Sequence, residues 1–249
     1  MQLTVRLFFM TAVFGAALIF SARASAEDMH MPIVFEDYPP YEYEEDGEIK
    51  GVNLELIREA FRRMGITPSF EPRPWKRALY ELEYGEILAL SSGFKTPERE
   101  TFAIFPSEPL AMETNVVVAL TVSGVEVNSL EDLKGMRVGV VREYIYGHGL
   151  EDIQGVVRVE ANSSQQLIRM LLNQRMDVAI GNKAVFKHLA KKSGKLAHIN
   201  FIHEIGSDPL YLMFSRYRGP RAARLAREFG TTIREMHEDG TFKAILDRY

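Results

Sequence analysis

The 249-residue sequence has no cysteine and only one tryptophan. The absence of cysteine excludes disulfides, thiol nucleophiles, thiolate metal sites and lipid attachment through a cysteine. Basic residues do not predominate, because 30 Lys and Arg stand against 34 Asp and Glu. Binding to nucleic acid needs clustered basic residues, so this balance disfavours a nucleic-acid partner. With 46% hydrophobic residues, the composition is typical of a globular protein.

The one long apolar run lies in the first 26 residues. Arg6 gives a positive start, residues 7–20 are apolar apart from two positions, and Ala24-Ser25-Ala26 supplies small residues at a cleavage site. The run is shorter than the roughly 20 residues that a membrane-spanning helix needs. We therefore expect residues 1–26 to be a signal peptide that is cleaved after Ala26, and the mature protein to be periplasmic. The mature chain then carries 28 basic and 34 acidic residues, a net charge of −6.

Strand and helix patterns alternate along the rest of the chain. Short apolar runs predict strands at 33–35, 67–73, 87–90, 116–120, 137–141, 156–159, 178–180 and 210–214. Helical spacing and capping residues predict helices at 54–64, 74–85, 163–171, 183–192 and 220–249, with a short capped helix after Ser129. Gly65 is expected to end the first of these helices, and Ser163 to cap the third. The order β-α-β-α-β occurs twice, which favours an α/β fold of two lobes, each with a mostly parallel sheet.

Several short motifs follow one another in a family-specific order. They are Tyr38-Pro39-Pro40-Tyr41, Gly51-Val52-Asn53-Leu54-Glu55, Trp75 with Gly85, Thr96-Pro97-Glu98-Arg99, the segment 129–140 and Asp239-Gly240-Thr241. With these motifs the chain resembles the extracellular solute-binding proteins of family 3, polar-amino-acid binders that feed ABC transporters. The resemblance spans nearly all of residues 30–249.

The resemblance implies a periplasmic-binding-protein type 2 fold with a ligand cleft between two lobes. It implies that lobe one holds residues 27–111 plus 210–249 and that lobe two holds residues 112–209. The expected partners are a small polar or anionic, amino-acid-like solute and an ABC transporter permease in the inner membrane, and we expect a monomer.

The resemblance also assigns ligand-binding roles. It implies that Arg99 binds the carboxylate of the solute, because a planar guanidinium can donate two parallel hydrogen bonds. Tyr38 and Trp75 are expected as aromatic walls of the cleft, and Ser91 and Ser92 as hydroxyl and amide donors. The residues alone leave open a surface Arg99 paired with neighbouring glutamates, a Trp75 in the core, and a simple turn at the serines.

Three positions depart from the family pattern. Phe94 replaces a Ser or Thr, Glu143-Tyr144-Ile145 replaces Gly-(Ser/Thr)-Thr, and Asn182 replaces the Asp that pairs with an α-ammonium. We expect Tyr144 and Tyr146 to donate hydroxyls instead, with Asn182 as a neutral ligand contact. The lost countercharge suggests a less charged ligand, or a carboxylate without an ammonium.

Other polar residues leave two interpretations open. Glu36 and Glu143 are candidate negative partners of a ligand, although the pattern favours two solvated acids. His148 is a candidate ligand contact or a surface-loop residue. The basic stretch 183–195 is a contact for an acidic transporter or sensor surface, or a solvated helix face, and the pattern favours the solvated face.

Signatures of catalysis and of cofactor binding are absent from the sequence. It contains no Gly-x-Ser-x-Gly elbow and no phosphate-binding loop, and its six histidines form no metal-binding pair. We therefore expect a binding protein, not an enzyme, with no cofactor and no metal. The alternatives are a dehydratase-like periplasmic enzyme on the same fold and a ligand-sensing module for a membrane receptor.

Overall fold

The computed structural model describes residues 30–249, so the expected signal peptide lies outside the described residues. The strands are β1 His30–Phe35, β2 Tyr43–Glu45, β3 Glu48–Lys50, β4 Thr67–Pro72, β5 Ala89–Phe94, β6 Ala103–Ile104, β7 Ala111–Leu120, β8 Arg137–Val141, β9 Val157–Ala161, β10 Val178–Asn182 and β11 Ile199–Ser215. The α-helices are α1 Val52–Arg63, α2 Trp75–Glu83, α3 Pro97–Glu100, α4 Ser164–Leu172, α5 Lys183–Lys192, α6 Gly219–Glu238 and α7 Thr241–Leu246.

The strands form one continuous path in the order β4-β1-β5-β11-β7-β10-β8-β9, with β6 beside β11. Strand β1 runs parallel to β4 and β5 in lobe one, and β8 runs parallel to β9 and β10 in lobe two. Strands β7 and β11 are antiparallel to their neighbours and connect the two halves. The predicted two-lobed α/β fold with mostly parallel sheets is confirmed.

Strand β11 is longer than the sequence predicts. A strand was expected only over 210–214, but β11 begins at Ile199 and pairs with β7 as far as Leu210. Pro209 lies inside it, opposite Met112. Proline normally marks a strand edge or end, which is why the first half escaped prediction. The expected lobe boundaries at 111/112 and 209/210 fall on this paired segment and stay a prediction.

Each lobe buries its own apolar clusters. Those of lobe one bring together β1, α1, β11 and α6 through fully buried Ile33, Phe35, Leu54, Ile57, Phe61, Phe214, Phe229 and Ile233. Those of lobe two bring together β7, α4, β10 and α5 through Val116, Val118, Leu167, Leu171, Ala179 and Phe186. Apolar burial therefore stabilises each half separately.

Several predicted helix ends are confirmed. The Ser163 hydroxyl accepts a hydrogen bond from the Gln166 backbone N–H at the start of α4, and Ser129 and Asp132 form a capping box. Gly65 follows α1 with φ of 73°, a conformation that favours glycine. Within the described part of the chain, no helix is long and apolar enough to cross a membrane.

Candidate ligand site between the lobes

A cavity with about 370 Å³ of empty space lies between the lobes. It opens beyond the carboxyl ends of β1, β5 and β8, where ligands bind in open α/β sheets. The predicted ligand residues that line it are Tyr38, Trp75, Ser92, Arg99 and Tyr144.

Arg99 is buried beside this cavity and is not a surface residue. Helix α3 is capped by Thr96, whose hydroxyl accepts from the Arg99 backbone N–H at 3.2 Å. The guanidinium lies 5.2 Å from the Trp75 ring centre, donates to the Phe94 carbonyl at 3.1 Å, and is 3% exposed. Among residues 30–249, no carboxylate forms an ion pair with it. Burial lowers the pKa of Arg99 to about 10, so it stays charged at neutral pH.

The tyrosine-proline turn holds two side chains towards the cavity. The Tyr38 backbone N–H donates to the Glu42 carbonyl at 2.6 Å, and the Tyr41 N–H donates to the Tyr38 carbonyl at 3.0 Å. Gly51 has φ of 130°, and a Cβ there would lie 2.3 Å from the Tyr41 carbonyl oxygen. Only glycine permits this approach, so the turn packs directly on the start of α1 and directs Tyr38 and Glu42 inwards.

Three glutamates line the same cavity. Glu36, Glu42 and Glu113 are buried, with relative exposures of 7%, 1% and 5%. The prediction that Glu36 is a solvated acid is wrong, because Tyr144 closes over it from lobe two. The same prediction for Glu143 is confirmed, since its half-exposed carboxylate pairs with Lys76 at the surface.

Neutral groups, most of them hydroxyls, donate the hydrogen bonds to these carboxylates. Tyr144 donates to Glu36, and Tyr38 donates to Glu113 at 3.0 Å. Glu42 accepts from the adjacent serines Ser91 and Ser92. Within the described residues, none of the three forms an ion pair with a lysine or arginine.

Burial raises the pKa of all three acids. The pKa of Glu36 rises to about 8, and those of Glu42 and Glu113 rise to about 7. Desolvation is the largest cause, the hydroxyl donors oppose it, and repulsion between the carboxylates adds to it. Arg99 lowers the pKa of Glu113, but it has a smaller effect than desolvation and the hydrogen bonds. Three acids against one guanidinium give the cavity an excess of potential negative charge.

Contacts across the cleft hold the lobes together. The Trp75 indole N–H donates to the Glu143 carbonyl at 3.1 Å, and Lys76 pairs with the Glu143 carboxylate at 2.9 Å. The Tyr144 ring makes edge contacts with Trp75 and Tyr38 at 5.9 and 6.0 Å. The ring of Trp75 therefore contributes both to the apolar cluster of lobe one and to the cavity wall.

Asn182 lies beside the cavity without lining it. It ends β10 and begins α5, where its side-chain oxygen accepts from the backbone N–H groups of Ala184 and Val185. Its amide donates to the Tyr41 hydroxyl at 3.3 Å and also hydrogen-bonds Glu113. Asn182 is thus placed to cap a helix and to support an acid that does line the cavity.

The remaining candidates lie behind or outside the cavity wall. Ser91 is fully buried within β5. Pairing with β11 carries this strand on to Phe94, so the predicted strand end at Leu90 is wrong. The Tyr146 hydroxyl accepts from the Val141 N–H in the interior of lobe two. His148 pairs with Asp208 at 2.9 Å on the connecting strand β11.

The basic stretch of α5 is paired at both ends. Lys183 contacts Glu204 at 3.2 Å, and Lys192 contacts Glu45 of lobe one at 2.7 Å. These pairs account for two of its charges within the protein. A contact between the exposed lysines of α5 and a transporter or sensor stays a prediction.

Glu42 and Glu113 were not predicted, although the sequence holds a signal for the second. Period-2 alternation along β7 places Glu113 on the same side as Asn115 and Val117, and all three are buried. An acid in phase with a buried face is costly unless it serves a site. Glu42 has no comparable signal. No cluster of metal-ligating side chains occurs within residues 30–249.

Comparison with known proteins agrees with this architecture. The profile of the bacterial extracellular solute-binding proteins, family 3, matches residues 33–249. The arginine-binding extracellular protein ArtP of Bacillus subtilis is 25% identical over 86% of this chain and 82% of its own. The L-cystine-binding protein TcyJ of Escherichia coli K12 is 25% identical over 85% of this chain and 79% of its own.

A solved structure shows the same fold at lower sequence identity. It is a histidine kinase sensor domain with similarity to periplasmic binding proteins, with a TM-score of 0.80 and 21% identity over 90% of this chain and 97% of its own. The family profile covers most of the chain, and the cavity lies between the lobes as the resemblance implies. The chain belongs to the bacterial extracellular solute-binding proteins of family 3.

Proposed function

We propose that the protein captures a small amino-acid-like solute between its lobes and presents it to an ABC transporter permease. The observation that carries this proposal is Arg99, a buried guanidinium that lines the cavity without a carboxylate partner among the described residues. A buried charge without a counter-ion is costly. The carboxylate of a solute would supply the missing partner through two parallel hydrogen bonds.

The aromatic walls support the same proposal. Tyr38, Trp75 and Tyr144 enclose the cavity from both lobes. Their rings exclude water, which strengthens the hydrogen bonds of an enclosed solute. The names of ArtP and TcyJ describe binding of arginine and cystine, both amino acids. We extend the amino-acid-like class, and no particular amino acid, to this chain.

The location and the lobe boundaries belong to the same proposal. Residues 1–26 direct export and are removed after Ala26, and the mature monomer acts in the periplasm. Lobe one comprises residues 27–111 and 210–249, lobe two comprises residues 112–209, and the hinge lies where β7 and β11 pass between them. A solute enters while the lobes are apart and is enclosed when they approach.

The test is a thermal-shift screen of the mature protein with amino acids, other carboxylates and small cations. A bound solute raises the melting temperature with its concentration. Arg99→Lys keeps the charge but loses the planar donor pair. We expect it to weaken binding of a carboxylate-bearing solute about tenfold or more, the size of one charge-assisted hydrogen bond.

The matched control is Arg227→Ala, because Arg227 is an exposed residue of α6. This variant should bind as the wild type does. If Arg99→Lys also binds as the wild type does, the assigned carboxylate site is wrong. If no solute in the screen stabilises the wild type, the proposal of solute capture is wrong.

Ligand sensing is a second candidate, favoured by the likeness to the kinase sensor domain. In that role the closed protein would act on a membrane receptor instead of a permease. Deletion of the gene distinguishes the two functions. Loss of uptake of the bound solute supports transport, whereas normal uptake with an altered receptor response supports sensing.

A further inference from the structure

The charge balance of the cavity points to a narrower class of solute. Three buried carboxylates, Glu36, Glu42 and Glu113, face one guanidinium, Arg99. The sequence pattern suggested a loss of negative charge at Asn182, but the structure places three ionisable carboxyl groups in the cavity. The solute has to be compatible with this excess.

Each carboxylate lies beside a different part of the cavity wall. The Glu36 carboxylate accepts a hydrogen bond from the Tyr144 hydroxyl, and the Glu113 carboxylate accepts one from the Tyr38 hydroxyl. The Glu42 carboxylate accepts hydrogen bonds from the two serines of β5. The partners of these acids, which include the Asn182 amide beside Glu113, are all neutral, so no cation among the described residues forms an ion pair with the acids. Because the three acids are held by different segments of the wall, two cationic groups of one solute can each contact a different acid.

We propose that the cavity selects a solute with two positively charged nitrogens, and that the solute binds in exchange for protons held by Glu36, Glu42 and Glu113. This inference rests on the proposed capture of a small solute and names its chemical class. Both basic amino acids and diamines belong to this class. The walls suit it as well, because the faces of Tyr38 and Tyr144 attract cations.

The exchange follows from the surroundings of the acids. In the empty cavity the three carboxyls hold protons near neutral pH, because desolvation raises the pKa of each. A cationic nitrogen favours the ionised form. On binding, the carboxyl O–H bond breaks, the proton passes to the solvent, and the carboxylate accepts a hydrogen bond from the solute N–H.

The groups around each acid set the direction of the pH effect. Glu36 faces Tyr144 and the acids Asp37, Glu42 and Glu113. Glu42 faces Ser91, Ser92 and Glu113, and Glu113 faces Tyr38, Asn182, Asp208 and Arg99. Repulsion by the neighbouring acids favours the protonated forms, and Arg99 alone among these groups is a cation. Protons therefore compete with the solute, and its affinity should fall as the pH falls.

The experiment is isothermal titration calorimetry of the mature protein with L-arginine, L-ornithine, putrescine, L-glutamine and L-glutamate. The buffers are phosphate and HEPES, which differ in ionisation enthalpy; amine cations such as Tris are avoided because they resemble the solute. We expect arginine, ornithine or putrescine to bind at least about tenfold more tightly than glutamine, the size of one charged contact. The buffer dependence should show release of between about one and two protons at neutral pH, as carboxyls half or more protonated would give.

Isosteric variants assign the effect to the three acids. We expect weaker binding of the cationic solute, and fewer protons released, in each of the variants Glu36→Gln, Glu42→Gln and Glu113→Gln. Glu228→Gln, at an exposed position on α6, should change neither. Arg99→Lys separates basic amino acids from diamines, because it should weaken the binding of arginine and ornithine more than the binding of putrescine, which has no carboxylate.

Other outcomes overturn the inference. Glutamine or glutamate binding as tightly as every cation overturns the selectivity and leaves the proposed capture of a solute intact. A cation that binds the wild type with no proton release overturns the exchange, and this readout does not depend on whether the variants fold. Failure of these solutes and of all those in the thermal screen contradicts the proposed function itself.

Discussion

The buried glutamates make the stability of the empty protein depend on pH. In the unfolded chain each has a pKa near 4.5, but in the folded protein the values are about 7 to 8. The folded state therefore binds more protons than the unfolded state between these values. The contribution of the acids to stability is fully present below pH 4.5 and is lost as the pH rises through 7 to 8.

We therefore expect the ligand-free protein to lose stability between about pH 5 and about pH 8.5. The loss from Glu42 alone should be on the order of 3 kcal/mol, from the difference between its two pKa values. Chemical denaturation at a series of pH values measures it. Glu42→Gln should flatten the profile, and the surface variant Glu228→Gln should not. A variant profile as steep as that of the wild type would show that Glu42 ionises normally.

At the scale of elements, short segments after strands place the site residues. Glu36 follows β1, Arg99 lies in the capped turn after β5, and Tyr144 follows β8. The start of α5 is fixed in a similar way, because the side chain of Asn182 caps its first turn. This cap connects the helix to the wall of the cavity, since the amide of Asn182 also contacts Tyr41 and Glu113.

Asn182→Ala should lower the free energy of unfolding by about 1 kcal/mol through loss of the cap. Asn182→Asp retains a capping oxygen and should keep most of that stability. It also places a new carboxylate beside Glu113, which should raise the pKa of Glu113 further. Urea denaturation measures both variants. Equal stability of Asn182→Ala and the wild type would mean that the cap contributes nothing.

Much of the fold could be predicted from local patterns. The strand at 33–35, the helix that Gly65 ends and the caps at Ser129 and Ser163 are confirmed, because turn chemistry and apolar periodicity act over a few residues. The predicted end of the strand at Leu90 was wrong because pairing with β11, distant in sequence, extends the strand to Phe94. The first half of β11 was missed because Pro209 suggests a break that its position in the sheet tolerates.

The site was harder to predict than the fold. Arg99, Tyr38, Trp75 and Tyr144 came from a family resemblance and do line the cavity. Glu36 is buried because a residue of the opposite lobe, Tyr144, covers it. No local sequence pattern near residue 36 indicates this burial. Whether an acid is solvated or buried between two lobes depends on contacts formed only after both lobes have folded.

At the scale of the whole molecule, the lobes are joined by continuous strands and touch across the cleft. Contacts such as Lys192 with Glu45, at 2.7 Å, exist only when the lobes are close together. Exposed pairs of this kind contribute little stability. They are therefore good reporters of closure, because replacing them should not alter the closure equilibrium greatly.

Since the chain has no cysteine, a pair of introduced cysteines can be cross-linked specifically. In the double variant Glu45→Cys with Lys192→Cys, a bound solute should increase the yield of cross-linking by a short bismaleimide, because enclosure of the solute favours the closed state. Pairing Glu45→Cys with Lys187→Cys, an exposed position on another side of α5, is the matched control. A yield that the solute leaves unchanged would contradict ligand-driven closure.

The buried carboxyl groups of Glu36, Glu42 and Glu113 have a consequence for how the ligand-bound protein is recognised. If each positive charge that enters the cavity is matched by a departing proton, the empty and occupied proteins differ little in net charge. The proposed membrane partner then experiences almost the same long-range electric field from either form. It must distinguish full from empty by shape, through the relative positions of two surfaces that closure brings into register.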